Sequence, residues 1–179
     1  MRLAIKRCSN LNTTNSMNRI ITHCEGLHDG DLSMIGLQPK MDTCGIWTEG
    51  WGHAMIDWNG NFIKGIANKD LAYKLSKIHT NEEADKVLDQ DLFGVNLLIA
   101  RKITVPLSDN QKEAIQSFYF NCGFSETLTK LINTKSDQLY NWWVSHYIVD
   151  QNMVKQPGLV NRRKTEALLF TTGKLQFFS

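Results

Sequence analysis

The sequence predicts an α+β fold, a small antiparallel sheet followed by helices, and three observations carry that expectation. Glycines punctuate the Ile- and Trp-bearing segment 42–66, S/T-x-x-E/Q helix starts follow at Thr80 and Ser108, and apolar residues recur at helical spacing after each start. The chain has 179 residues, 42% hydrophobic and 21% charged, enough to bury a core within one domain. With 12 Gly and 3 Pro it is neither low-complexity nor collagen-like, and a net charge of +2 is too slight to argue a nucleic-acid partner.

Residues 1–14 show no sustained periodicity and read as a flexible leader, which places the folded domain at 15–179. Within it, an N-terminal lobe is expected at about 15–79, a connecting helix at about 80–104 and a C-terminal lobe at about 105–179. Met17, Ile20, Ile21 and Cys24 recur at i, i+3, i+4 and i+7, the stripe of a short helix stopped by Gly26, so Glu25 falls in its last turn. Residues 27–41 mix Gly, Pro and Asp with scattered apolar side chains and read as an ordered loop. Asn59-Gly60, set between IDW and NFI, predicts a type I′ hairpin, because both central residues tolerate positive φ.

The boxes Thr80/Glu83 and Ser108/Gln111 place two helix starts by satisfying N-terminal amides reciprocally. The first opens a long helix carrying Ala84, Val87, Leu88, Leu92, Val95 and Leu98. The second carries Ala114, Ile115, Phe118 and Cys122, with Pro106 between the two. Shorter helices are expected at about 125–133 and 136–146, and a last one near 159–172 ending at Gly173.

The opening residues lack the apolar core of a secretion signal and no run of 18 apolar residues occurs, so synthesis as a soluble cytosolic protein is expected. Cys8, Cys24, Cys44 and Cys122 show no C-x-x-C spacing, and reduced thiols are the default reading. Cys24 and Cys122 are expected to be buried as small hydrophobes, while a bond from Cys44 to Cys24 in an oxidising compartment is the alternative, redox-controlled reading. Histidines 23, 28, 53, 79 and 146 lack ligand spacing, so no metal is expected. Trp47, Trp51, Trp58, Trp142 and Trp143 are assigned to the core, and at least one arginine of Arg162-Arg163-Lys164 to structure.

Glu25, Asp42 and Thr48 together suit the cleavage of a glycosidic bond, which needs one acid and one base. The partial negative charge of a helix C-terminus disfavours ionising a carboxyl there, which makes Glu25 the acid. Asp42, opening the hairpin segment, is the carboxylate that stays ionised, and Thr48 can hydrogen-bond the same water. Asp29 and Asp31 are rivals for the second role, but Asp29-Gly30-Asp31 reads as turn chemistry. Glu49 alternates to the face opposite Thr48 and is expected to be solvated.

Glu25-Gly26-Leu27, then Asp42 with five residues before Thr48 inside GIWTEGWGH, resembles the phage-type lysozymes of glycoside hydrolase family 24. FYFNCGF at 118–124 and PGLVNRRKTEALLF at 157–170 are similar to that family's cleft-side and closing-helix segments, and the likeness covers roughly 18–175. Sixteen residues separate Glu25 from Asp42, more than is common in the family, so 27–41 carries an insertion. The resemblance implies an α+β lysozyme-like fold, with a hairpin-bearing N-terminal lobe, a helical C-terminal lobe and a glycan cleft between them. It implies an endolysin that hydrolyses the β-1,4 bond between N-acetylmuramic acid and N-acetylglucosamine by inversion and without a cofactor. The partner is then the peptidoglycan glycan strand, with no nucleic acid, no stable membrane association and a monomeric state. Release from the cytoplasm to the wall would go through a holin-type pore. By the same matching, Asn121 contacts saccharide and His53 is a buried structural histidine paired with Asp91. The competing readings are a lytic transglycosylase, against which Asp42 and Thr48 argue, and a noncatalytic glycan-binding protein, against which the intact acid argues.

Overall fold

A computed structural model describes residues 18–42, 44–150 and 152–179; the leader 1–14 and Met17 lie outside the described residues. The chain runs through α1 (Arg19–Glu25), the strands β1 (Lys40–Met41), β2 (Trp47–Glu49) and β3 (His53–Ala54), then α2 (Lys69–Leu75) and the long α3 (Asn81–Lys102). It closes with α4 (Asp109–Cys122), α5 (Glu126–Asn133), α6 (Leu139–Ser145) and α7 (Pro157–Thr172). The α+β expectation is met.

Local chemistry accounts for the element ends. Asn18 caps α1 by accepting from Ile21 N at 3.0 Å, and its amide donates to the Glu113 carbonyl at 2.9 Å, which ties the helix start to α4. Both capping boxes form reciprocally at Thr80 and Ser108. Pro157 opens α7, and Gly173 ends it in the left-handed region at φ 71°. α2 carries no side-chain cap hydrogen bond, and its sequence offers no start signal.

The sheet is antiparallel in the order β1-β2-β3, with Lys40 opposite Thr48 and Thr48 opposite Ala54, so Thr48 sits on the central strand. The hairpin beyond it differs from the expected type I′ turn. Gly60 has φ 80° but Asn59 does not take positive φ; Gly60 N donates to Asp57 O at 3.0 Å and Asp57 N to Asn61 O at 2.8 Å. That is a three-residue loop with Gly at its left-handed position, and Asp57 Oδ1 selects it by accepting from Asn59 N and Asn61 N.

Among the described residues the apolar interior has one large cluster and two smaller ones. Ile20, Phe118, Leu128, Trp143 and Leu169 belong to the large cluster, built on α4, α6 and α7. Trp47, Met55, Ile63 and Ala72 form a second under the sheet, and Ile21, Leu88 and Leu92 a third along α3. Neighbouring residues of α1 thus enter two clusters, each fully buried side chain stabilising by about 1.5–3 kcal/mol. The helix that carries Glu25 is therefore gripped from two sides.

Two assignments change at this level. Trp58 is exposed, projecting from the hairpin loop, whereas Trp47 and Trp143 are buried and Trp51 and Trp142 partly so. Glu49 is buried at 5% exposure rather than solvated, because its Oε2 accepts from Ser76 Oγ, Lys77 N and Ile78 N at 2.9, 2.9 and 3.1 Å. It holds the segment after α2 against the sheet, a role that strand alternation does not reveal.

Candidate active site

A cleft of about 1000 Å³ is lined by Glu25 and Asp42, with Asn121, Asp150, Arg162 and Phe177 among the other walls. Glu25 comes from the last turn of α1 and Asp42 from the turn after β1. Oε1 of Glu25 accepts a hydrogen bond from Arg162 Nη1. Its Oε2 faces Gly52, where a Cβ would stand 3.3 Å away and where φ is 91°. A glycine at that position lets the hairpin approach the carboxylate.

Arg162 is 4% exposed and does not swing freely. Its Nε lies 3.2 Å from Ser117 Oγ and 3.3 Å from Glu166 Oε1, while Nη2 donates to the Ser117 carbonyl at 3.2 Å. Glu166, fully buried, also accepts from Ser117 Oγ at 2.6 Å and Trp143 Nε1 at 3.0 Å. The sequence led to the expectation of at least one structural arginine, and both Arg162 and Arg163 are buried. Arg163 donates to Asn121 Oδ1 and Cys122 Sγ, each at 2.8 Å.

Asp42 closes its own turn: Oδ1 accepts from Cys44 N at 2.8 Å and Ile46 N at 2.7 Å. Asp29 and Asp31 also accept within turns. Asp29 Oδ1 accepts from Asp31 N at 3.3 Å, Asp31 Oδ1 accepts from Ser33 Oγ at 2.5 Å, and neither lines the cleft.

Thr48 is 5% exposed and is not among the residues that line the cleft. Its Oγ1 is 2.9 Å from the Lys40 carbonyl and 2.8 Å from His28 Nδ1. His28, half-buried in the inserted loop and fixed there by its N–H to the Gly50 carbonyl at 2.9 Å, was not singled out by the sequence. Burial lowers its pKa, against the pull of the Glu25 carboxylate.

His53 Nδ1 stands 2.9 Å from Asp91 Oδ2, joining β3 to α3 as the resemblance implied, but the pair is not buried: the two side chains are 38% and 29% exposed. The hydrogen bond that its ring donates to the Asp91 carboxylate raises the His53 pKa. Asn121 is exposed on the cleft, its carbonyl oxygen held by Arg163. Cys24 departs from the expected burial. Ile20 and Ile21 take the inner face of α1, and Cys24, one turn further on, meets the cleft instead. Cys44 is exposed on the same cleft, Cys122 packs partly buried against the core, and all three thiols are free.

Ser117, Glu166 and His28 escaped the sequence reading. Arg162 and Glu166 stand at i and i+4 on one helix, a spacing that signals an ion pair, but nothing local shows that the pair is buried.

The family model described as phage lysozyme matches residues 33–166, a span that begins downstream of Glu25. An endolysin of Acyrthosiphon pisum secondary endosymbiont phage 1 is 32% identical over 146 residues, covering 75% of this chain and 88% of that protein. A SAR-endolysin of Escherichia phage Mu is 35% identical over 148 residues, covering 78% of this chain and 74% of its own length. Among solved structures, the muramidase domain of SpmX from Asticaccaulis excentricus is 23% identical, with a TM-score of 0.62 over 96% of this chain and 99% of that one.

Proposed function

The chain belongs to the phage lysozyme family, and from that premise we propose that Glu25, Asp42 and Thr48 carry out peptidoglycan hydrolysis. The enzyme is a glycoside hydrolase, a muramidase of the endolysin kind, and its polymer is peptidoglycan. The bond assigned to it is the β-1,4 link between N-acetylmuramic acid and N-acetylglucosamine, cleaved by single displacement with inversion.

The observation that carries the site assignment is the convergence of two carboxyls, distant in sequence, on one cleft, with a buried guanidinium on the first. Glu25 delivers a proton to the departing oxygen, and Arg162 stabilises the carboxylate left behind. Oδ1 of Asp42 is committed to its turn, so Oδ2 is the oxygen that takes a proton from the attacking water. Thr48 accepts from that same water, and Asn121 offers its side chain to the saccharide. His53 and Asp91 brace β3 against α3.

Positioned acid catalysis is worth roughly 10²–10⁴-fold, so Glu25→Gln is expected to abolish clearing of cell walls while circular dichroism shows the fold intact. Wild-type clearing by that variant refutes the acid. Asp42→Asn is expected to lose activity and Asp31→Asn to keep it; the reverse pattern moves the base into the inserted loop. Mass spectrometry of the muropeptides should find reducing-end muramic acid, since an anhydro product, lighter by one water, belongs to a transglycosylase.

No helix among the described residues is long and apolar enough to cross a membrane. The enzyme is assigned a monomeric state and a route from the cytoplasm to the wall through a holin-type pore. Lysis in cells that express it without such a pore overturns that route.

A further inference from the structure

We propose that His28 is a positioning residue for the hydrolytic reaction, which sets the Thr48 hydroxyl so that its oxygen is presented to water as an acceptor. The inference rests on the reading of Thr48 given above.

Thr48 Oγ1 has two close partners, the Lys40 carbonyl at 2.9 Å and His28 Nδ1 at 2.8 Å. A carbonyl oxygen only accepts, so the single hydroxyl proton is directed to Lys40 O. Nδ1 of His28 then carries the hydrogen and donates it to Oγ1, with the Glu25 backbone carbonyl as a further acceptor beside the same ring. The opposite arrangement, with Nδ1 accepting from Thr48, would leave two oxygens facing each other at 2.9 Å without a proton between them. Each of the two contacts fixes the other.

The consequence is chemical. A hydroxyl oxygen accepts two hydrogen bonds, and His28 fills one of these positions. The remaining lone pair can take one hydrogen of a water while Asp42 takes the other, which leaves the water oxygen's own lone pair for the anomeric carbon. Without His28 the hydroxyl could rotate and donate to the water, cancelling that orientation.

The surroundings hold the arrangement. Thr48 is 5% exposed, so bulk solvent does not average its hydroxyl direction. His28 is anchored by its backbone N–H to the Gly50 carbonyl at 2.9 Å, and its ring lies in the fields of Glu25, Asp42 and Lys40. The residue follows directly on Glu25-Gly26-Leu27, at the start of the loop between the two carboxyls.

The test is a double-mutant cycle with steady-state kinetics on solubilised glycan strands. His28→Ala is expected to lower kcat about 10-fold or more with KM within about twofold, since proper orientation of reactants is worth several kcal/mol. His28→Asn, whose amide can place an N–H near the Nδ1 position, is expected to recover most of the rate. Thr48→Val is expected to be slow, and adding His28→Ala to it to cause no further loss. His28→Leu serves in place of alanine if the smaller side chain unfolds the loop.

A His28→Ala or His28→Leu enzyme with wild-type kcat overturns the proposal, as does a loss that asparagine fails to restore. Multiplying losses in the double variant overturn it too, because His28 then acts other than through Thr48. Wild-type turnover by Thr48→Val refutes the underlying reading of Thr48, a result separable from a slow Thr48→Val paired with a fast His28→Ala.

Discussion

At the scale of single residues, the two histidines near the sheet titrate in opposite senses. His53 has its pKa raised by Asp91, so its contribution to stability is complete below the unfolded value of about 6.5 and is lost as pH rises through the folded pKa. His28 has its pKa lowered by burial, so folding is favoured by its neutral form. Its contribution is complete above about 6.5 and is lost as pH falls through the folded pKa. Melting temperatures measured from pH 5 to 8.5 should therefore show His53→Asn removing part of the alkaline decline and His28→Asn part of the acid decline. Curves for both variants that run parallel to the wild type contradict the assignments. Neither histidine's environment was readable from sequence position alone: the His53 partner came from the family resemblance, and His28 gains its burial from a loop that folds back on Gly50 and Thr48. Glu49 teaches the same lesson, since its three donors come from 76–78 across the fold.

At the scale of elements, one turn recurs around the protein. Asp42, Asp57 and Asp150 each accept two backbone N–H groups on Oδ1, from residues two and four further on, and each carries a residue with positive φ three positions on. At the first two turns that residue is Gly45 or Gly60; at the third it is Met153, at φ 61°. A side chain in the left-handed region costs roughly 1–2 kcal/mol, partly offset by the greater entropy that glycine loses on folding. Gly60→Ala should thus destabilise by about 1 kcal/mol and Met153→Gly should stabilise by about 0.5 kcal/mol, read from urea unfolding. Shifts of the opposite sign at either position would show that the turn does not set the backbone. Elements governed by their own sequence were legible before the structure: both capping boxes, the glycine that ends α7 and the long α3. The Asn59-Gly60 turn was misread because Asp57, two residues earlier, decides its length. α2 escaped because no side chain caps it.

At the scale of the molecule, the candidate site depends on a buried ionic group that no local stretch of sequence contains. Glu25 and Arg162 lie 137 residues apart, and Arg162 is held in turn by Ser117 of α4 and Glu166 of α7, with Trp143 of α6 on the far oxygen. The sequence motifs could nominate Glu25 and Asp42, because their spacing to Gly26 and Thr48 is short-range. The guanidinium that completes the acid becomes visible only when α1 packs on α4 and α7. Glu166 has no solvent to replace its partners, and its Oε2 also faces Arg163 Nε at 3.1 Å. Removing its charge leaves the buried Arg163 without its carboxylate and Arg162 with Glu25 alone, a change that costs about 3–5 kcal/mol where one partner of a buried pair is lost. Glu166→Gln is therefore expected to lower stability by about 3 kcal/mol in chemical denaturation. It should also lower kcat of the molecules that remain folded, because Arg162 loses the tether that aims it at Glu25. A variant that loses stability but retains full kcat would show that Ser117 alone aims Arg162. One that loses neither would mean that the buried carboxylate is not the anchor of the site.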